Sequence, residues 1–578
     1  MVPRLKILSN VVERLTRLQS SATGRLYGVM CDNTLIILSF SLNVPECSLA
    51  NYDMLQLNMP VEIDLCGVLL VDQCEEAIVD AFKDIDVTDN PLLLEYSLGT
   101  TDLRPFFYIH QKLEPADSFQ IISEETIWEQ FKYVRLVAGL PIITQKGNIL
   151  EIIQESRKNI ASGKAGFIFP GSNVHLLSSD GDTSPVLSDE LRYASNSSEN
   201  SGNGKDSSKR TSAVVDVIQV DLMLKACKDK VGEGDAQYAP VIQHVKRAFE
   251  CQQFNLKIDA LALVNRDADA AHLYAILVES ICRNLKLIER SFETQIDEDN
   301  DCIKLPEPLH FRPSSLGHFL TLAYPVGTDE EELREYRESL HKVLDLDMTR
   351  PFIRRGNAVR FSTDAGKNDP LVNPHEAIST ASMSDGKLSI VDGLYSYHHY
   401  MQDEFDDNGW GCAYRSLQTI VSWYRFQGYT DRPIPTHRMI QKCLVDIGDK
   451  PSSFIGSRQW IGSTEVGFVL ESMFGISVKV LCASSGEEMP MFASELHRHF
   501  QTQGTPVMIG GGVLAHTILG IYKESLTDVK FLILDPHYTG SDNLNTIINK
   551  GWCSWKTKDF WKKDAFYNMC LPQRPVCT

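Results

Sequence analysis

The chain has 578 residues, long enough for about three or four units that each bury a core at roughly 100 to 200 residues per domain. Hydrophobic residues make up 43% and charged residues 23%, close to globular averages, which excludes a largely disordered or fibrous protein. The formal net charge is -20 and no basic run exceeds two residues, as at Lys209-Arg210, so a nucleic-acid partner is not expected.

The first 186 residues mix short apolar runs, Leu35 to Leu42 and Val61 to Leu70, with a helical pattern from Glu125 to Val137, and predict an α+β domain. From 187 to 213 the composition turns to Ser, Asn and Gly, which buries too little apolar surface to offset ordering entropy and predicts a disordered insert. A middle α+β region, 214–361, is read as a further unit or as a continuation of the first. Its long helical pattern, about 268 to 292, carries Leu273, Ile276, Leu277, Ile281, Leu285 and Ile288 on one face. A strand is expected at Phe319 to Tyr324. After it comes a helix opened by Thr328-Asp-Glu-Glu331 in the manner of a capping box, with Leu333, Tyr336, Leu340 and Val343 inward. A polar linker spans 362–386, and residues 387–578 form the last domain.

Fourteen cysteines lie scattered without a CxxC pair, so neither a zinc ribbon nor a disulfide framework is indicated, and most should be reduced. No signal-length apolar segment opens the chain and no run reaches about 18 apolar residues. The expectation is a cytoplasmic protein without a membrane span, attached to any membrane only through a partner. HExxH and a complete phosphate loop are both missing, Ser162-Gly-Lys-Ala-Gly166 lacking key positions, so no metal or cofactor is expected.

The chemistry concentrates near the C-terminus. After Gly411, apolar Ala413, Leu417, Ile420, Val421 and Tyr424 follow one helix face, which puts Cys412 at a helix N-terminus. Unpaired backbone N–H groups and the helix dipole favour thiolate there, although a buried structural cysteine is the ordinary alternative. A base is offered by Asp535-Pro-His537, directly after the apolar run Phe531 to Leu534. Pro536 keeps Asp535 extended, so carboxylate and imidazole should reach one another, the orienter–base pairing of nucleophile triads. A plain strand-ending turn is the competing reading. His516 sits among strand-like apolar neighbours and reads as a core histidine, while adjacent His398 and His399 point to opposite faces and make no metal pair.

Four segments, Asn408 to Thr419, Gly456 to Gly462, Gly504 to Gly520 and Leu534 to Gly540, together resemble the cysteine proteases specific for the ubiquitin-fold modifier, in their long, type 2 form. The resemblance covers about residues 394 to 578. It implies a papain-like catalytic domain, preceded here by the α+β N-terminal domains, with triad order Cys, Asp, His where papain runs Cys, His, Asn. It makes Cys412 the nucleophile, His537 the base and then acid, and Asp535 the orienter, and it assigns Tyr400 to the oxyanion hole, with Tyr397 the nearest competitor. Trp410, Trp460 and Gly510 to Gly512, Gly511 at their centre, become candidates to line a narrow substrate groove. The implied partners are the ubiquitin-fold modifier, its precursor and conjugates, and an adaptor at the endoplasmic reticulum. An autophagin-like protease and an inactive modifier-binding adaptor are the alternatives.

Overall fold

The computed structural model describes residues 3–72, 90–178, 217–224, 251–297 and 303–577, together with Phe82, Ile85 and Thr88 and apart from positions 46, 48–51, 101, 117, 146, 173, 365, 367–368, 381–382, 384–385 and 526–527. The expected insert, 187–213, lies outside the described residues. The chain divides into two compact units, Met1–Asn203 with Asp216–Met348, and Gly204–Val215 with Thr349–Thr578.

In the first unit an eight-stranded sheet spans Arg4 to Ile122, with Arg4–Leu8 paired in parallel to both Thr34–Leu42 and Phe119–Ile122. A five-stranded sheet follows, built on the antiparallel pair Phe131–Gln145 and Cys251–Asn265. The helix expected over 125–137 is therefore mostly strand: the helix Glu124–Gln130 stops where Phe131–Gln145 begins. Val134, Leu136, Leu140 and Ile142 enter the core at every second position, and this period-two burial against a long partner strand outweighs local helix propensity. On the opposite face Arg135 and Asp259 form a buried ion pair of 2.6 Å, and His310 Nε2 lies 2.8 Å from Asp259 Oδ1.

The long helix is Ala270–Asp297, and all six residues of the expected face are buried against the five-stranded sheet. At about 1.5 to 3 kcal/mol for each fully buried aliphatic side chain, that face dominates its stability. The next helix begins later than expected, at Arg334–Val343, with Leu333 at the N-cap and no side-chain cap. The Thr328 hydroxyl accepts from Lys304 Nζ at 3.2 Å.

The second unit is built on a seven-stranded antiparallel sheet. Its path runs Val478–Ala483, Tyr567–Pro572, Val507–Gly511, Leu514–Lys523, Val529–Leu534, Cys553–Thr557, while Lys387–Ile390 pairs with the far half of Leu514–Lys523. Alternation divides two cores: Met508, Leu519, Leu532 and Leu534 join one, and Val507, Ile509, Phe531 and Ile533 the other. The helices Cys412–Phe426 and Ser463–Phe474 contribute to the first core and Ala493–Thr502 to the second. A strand buried on both faces is apolar throughout, which accounts for Phe531 to Leu534.

The unit boundary falls between Met348 and Thr349, earlier than the 361 read from composition. Asn357 Nδ2 donates to Gln427 O at 3.4 Å, and Asn373 exchanges hydrogen bonds with the Tyr395 backbone at 2.9 and 3.1 Å. Asn357, from the expected middle region, and Asn373, from the expected linker 362–386, are thus both bonded within the second unit.

Candidate active site

Cys412 is the first residue of the helix Cys412–Phe426. Gly409 turns the chain into it with φ 82, a left-handed conformation that glycine adopts without strain. No side chain caps this end, so its backbone N–H groups remain directed at the sulfur's surroundings. Every residue from Ala413 to Tyr424 is buried, and the sulfur-bearing end is consequently held by the whole core.

The strand Val529–Leu534 ends one residue before Asp535, whose N–H donates to Trp552 O at 2.8 Å. Asp535 Oδ1 accepts from the His537 N–H at 3.0 Å and from His537 Nδ1 at 2.6 Å. The turn geometry and the carboxylate–imidazole pairing are one arrangement. With Nδ1 committed, the buried Nε2 makes no other bond and is left to interact with the Cys412 sulfur.

The electrostatics follow from this contact. Burial pushes the Cys412 thiol up, but the His537 imidazolium, the Tyr400 hydroxyl and the Ala515 N–H together bring it below the usual thiol value. Burial alone would depress His537; its bond to Asp535 and the neighbouring Cys412 sulfur outweigh that and raise it from 6.5 to about 9. Asp535, despite burial, is held below the usual carboxylate range by His537 and His516. Both shifts favour thiolate beside imidazolium, the pairing that a nucleophile with a neighbouring proton donor needs.

Tyr400 is 3% exposed and packs edge-on against the His537 ring, centroids 5.3 Å apart. Burial and the neighbouring sulfur push its phenol upward, so it keeps its proton and remains a donor. Tyr397, the competitor, instead donates to the Asp535 carbonyl oxygen. His398 is buried and depressed to about 3, bonded to Ser396 Oγ at 2.9 Å, and His399 Nε2 meets Asp542 at 3.1 Å. His516 comes within 3.9 Å of Asp535 and 5.2 Å of the His537 ring, and burial holds it to about 4. Donor atoms of His516, Asp535 and His537 lie within 4.8 Å of one another; a cation among them would compete with the 2.6 Å Asp535–His537 bond.

A cleft of about 280 Å³ opens beside Cys412, lined in part by Trp410, Trp460, Gly510, Gly511, Val513 and Phe566. Trp410 is 6% exposed and Trp460 57%, the latter donating from Nε1 to Gly409 O at 3.2 Å. The glycines do different things. A Cβ on Gly511 would come within 2.3 Å of Phe566 O, so close strand pairing requires glycine there, whereas on Gly510 it would meet nothing nearer than 3.5 Å. The missing side chain that leaves space in the cleft is that of Gly510.

Comparison with known proteins gives one answer. Residues 386–570 match the description Peptidase family C78, residues 1–127 an insect UFM1-specific protease N-terminal MPN-like domain, and residues 163–366 the N-terminal region of ubiquitin-fold modifier 1 specific protease 2. The chain is 41% identical to the probable Ufm1-specific protease 2 of Drosophila pseudoobscura pseudoobscura, with 100% of both chains covered. The chain belongs to peptidase family C78. It is also 43% identical to the Ufm1-specific protease 2 of Homo sapiens over 71% of this chain and 87% of that one. The crystal structure of UfSP from C. elegans superposes with a TM-score of 0.69 at 25% identity, covering 100% of both chains. Like the family, this chain is a cysteine peptidase, with a papain-like domain at its C-terminus.

Sequence reasoning passed over one part of this C78 site. Arg415 and Asp407 are wholly buried together, Nε to Oδ2 at 2.6 Å, with His437 Nε2 on the same oxygen at 3.0 Å. The signal was present: an arginine in an otherwise packed helix needs a buried acid, and Asp407 precedes the cysteine turn.

Proposed function

We propose that this peptidase cleaves after the C-terminal glycine of the ubiquitin-fold modifier, maturing its precursor and releasing it from lysines of conjugated proteins. The names of its relatives support the substrate. The observation that carries the chemistry is the 2.6 Å bond from Asp535 to His537 Nδ1, which leaves Nε2 for a sulfur at a helix N-terminus.

The Cys412 thiolate attacks the glycine carbonyl carbon, and the negative charge that develops on oxygen is received by the Tyr400 hydroxyl and the Cys412 N–H. One such donor contributes about 3 to 4 kcal/mol in comparable sites. His537 then gives its proton to the departing amine as the carbon–nitrogen bond breaks, leaving a thioester. Deprotonated His537 takes a proton from water, which displaces the sulfur and frees the carboxylate. Trp410, Trp460, Gly510 and Gly511 form a passage suited to a tail of small residues.

A modifier carrying a C-terminal electrophile is the test. It should form an adduct at Cys412 and none with Cys412→Ala, and the extended precursor should be cut. Cleavage of an extended autophagy modifier alone, or retained binding without an adduct, would reject the assignment. No described helix is long and apolar enough to cross a membrane, so we assign attachment to the endoplasmic reticulum, through a partner, to residues 1–348. Undiminished sedimentation of a 349–578 fragment with those membranes would refute this.

A further inference from the structure

Three non-glycine residues shortly after Tyr400 occupy the left-handed region: Met401 at φ 65, Asp403 at φ 59 and Glu404 at φ 55. Each costs on the order of 1–3 kcal/mol and persists only where the surroundings over-determine it. Much of that constraint comes from one carboxylate. Asp407 Oδ1 accepts from the Met401 N–H at 2.9 Å, while Oδ2 accepts from Arg415 Nε at 2.6 Å and His437 Nε2 at 3.0 Å. The Asp407 carbonyl oxygen accepts from the N–H groups of Trp410 at 3.2 Å and Gly411 at 2.9 Å, inside the turn that delivers Cys412. The fit is close: a Cβ on Gly411 would stand 2.5 Å from Asp407 Oδ2. Arg415 adds bonds to Gln402 O at 2.9 Å and Asp403 Oδ2 at 3.0 Å, on the strained loop itself. From the other side, the Tyr400 N–H donates to Pro536 O at 3.0 Å.

We propose that Asp407 is a positioning residue: its carboxylate, clamped by Arg415 and His437, ties the loop behind Tyr400 to the turn before Cys412 and so holds the phenol over the sulfur. This rests on the oxyanion role given to Tyr400 above. Stability is a poor explanation for the cluster, because buried ion pairs exchanged for packed apolar groups are often neutral or better. Placement is a sufficient one, since displacement of a catalytic group by about 1 Å can cost about 100-fold in rate.

The test is a double-mutant cycle between Asp407→Asn and Tyr400→Phe in the full-length chain. It is read as kcat and KM on a fluorogenic amide of the modifier's C-terminus, with the melting temperature of each variant. Asp407→Asn keeps an acceptor for Met401 and removes the charge that fixes Arg415. It should lower kcat roughly 10- to 100-fold with KM within about twofold, and lower it by less than about twofold once Tyr400 is Phe. A merely structural role would act in both backgrounds, so equal losses overturn the proposal whatever the melting temperatures. A Tyr400→Phe variant with unchanged kcat would instead remove the oxyanion role beneath it. Because Asp407→Asn leaves Arg415 short of its buried counter-charge, the cycle is repeated with Asp407→Asn/Arg415→Met, which removes the pair together. The same non-additivity is expected, and full additivity again counts against the proposal.

Discussion

Replacing Asp535 by Asn tests the core of the site most directly. The perturbation removes one negative charge 2.6 Å from His537 Nδ1, between side chains 22% and 18% exposed, where water screens the pair only in part. Raising the imidazolium from 6.5 to about 9 corresponds to roughly 3 kcal/mol, net of burial and shared between Asp535 and Cys412. If the carboxylate supplies half, Asp535→Asn brings the basic limb of kcat/KM down by about one pH unit. The amide can also hold the wrong imidazole tautomer, which in a comparable triad costs about 10⁴-fold in kcat; a loss of about 10²- to 10⁴-fold is expected here. The assay is a pH profile of kcat/KM on a fluorogenic modifier amide, with the pH dependence of Cys412 alkylation measured in parallel. The same pairing ties stability to pH. The native imidazole keeps its proton beyond 6.5, so this contribution is complete below 6.5 and disappears as pH rises through about 9. A basic limb that stays in place, with activity within a few-fold of wild type, refutes the reasoning.

Gly510→Ala should fold normally, since its Cβ meets nothing within 3.5 Å, but should raise KM for the modifier by about tenfold through lost room in the cleft; an unchanged KM places the tail elsewhere. One equivalent of iodoacetamide at neutral pH should modify Cys412 ahead of Cys66, Cys553 and Cys570, whose thiols burial pushes upward. Peptide mass mapping that finds those buried cysteines modified first would contradict the electrostatics. In the first unit, Asp259→Ala removes the buried carboxylate that Arg135 and His310 share and should cost about 3 to 5 kcal/mol. Denaturant unfolding followed by a reporter in that unit should shift accordingly, and a loss below about 1 kcal/mol would show that the pair is solvated.

The parts of the fold written in local periodicity were legible. The long helix Ala270–Asp297 and the helix behind Cys412 each show an apolar face that no alternative pairing competes for. The stretch 131–137 was misread because its residues tolerate both periods, and only the partner strand Cys251–Asn265, over a hundred residues away in sequence, decides between them. In the site, the spacing of Asp535 and His537 was readable because the chain itself enforces it across one proline. Tyr400 was assigned by resemblance, for nothing local distinguishes it from Tyr397; the distinction lies in which of them reaches a sulfur and which a carbonyl. Gly510 and Gly511 look interchangeable as letters, and the close approach of Phe566 and Tyr567 to Gly511 separates them.

The sulfur and its base are about 125 residues apart in sequence, and the bond from the Tyr400 N–H to Pro536 closes the same interval. During translation at about 5–20 residues per second, the nascent polypeptide carries Cys412 for roughly 6 to 25 s before His537 has even been added. The sulfur is therefore made well before the imidazole that would activate it. A ribosome-stalled intermediate ending before Asp535 should display a thiol that titrates without its imidazolium partner, chemically quiet until that segment is made.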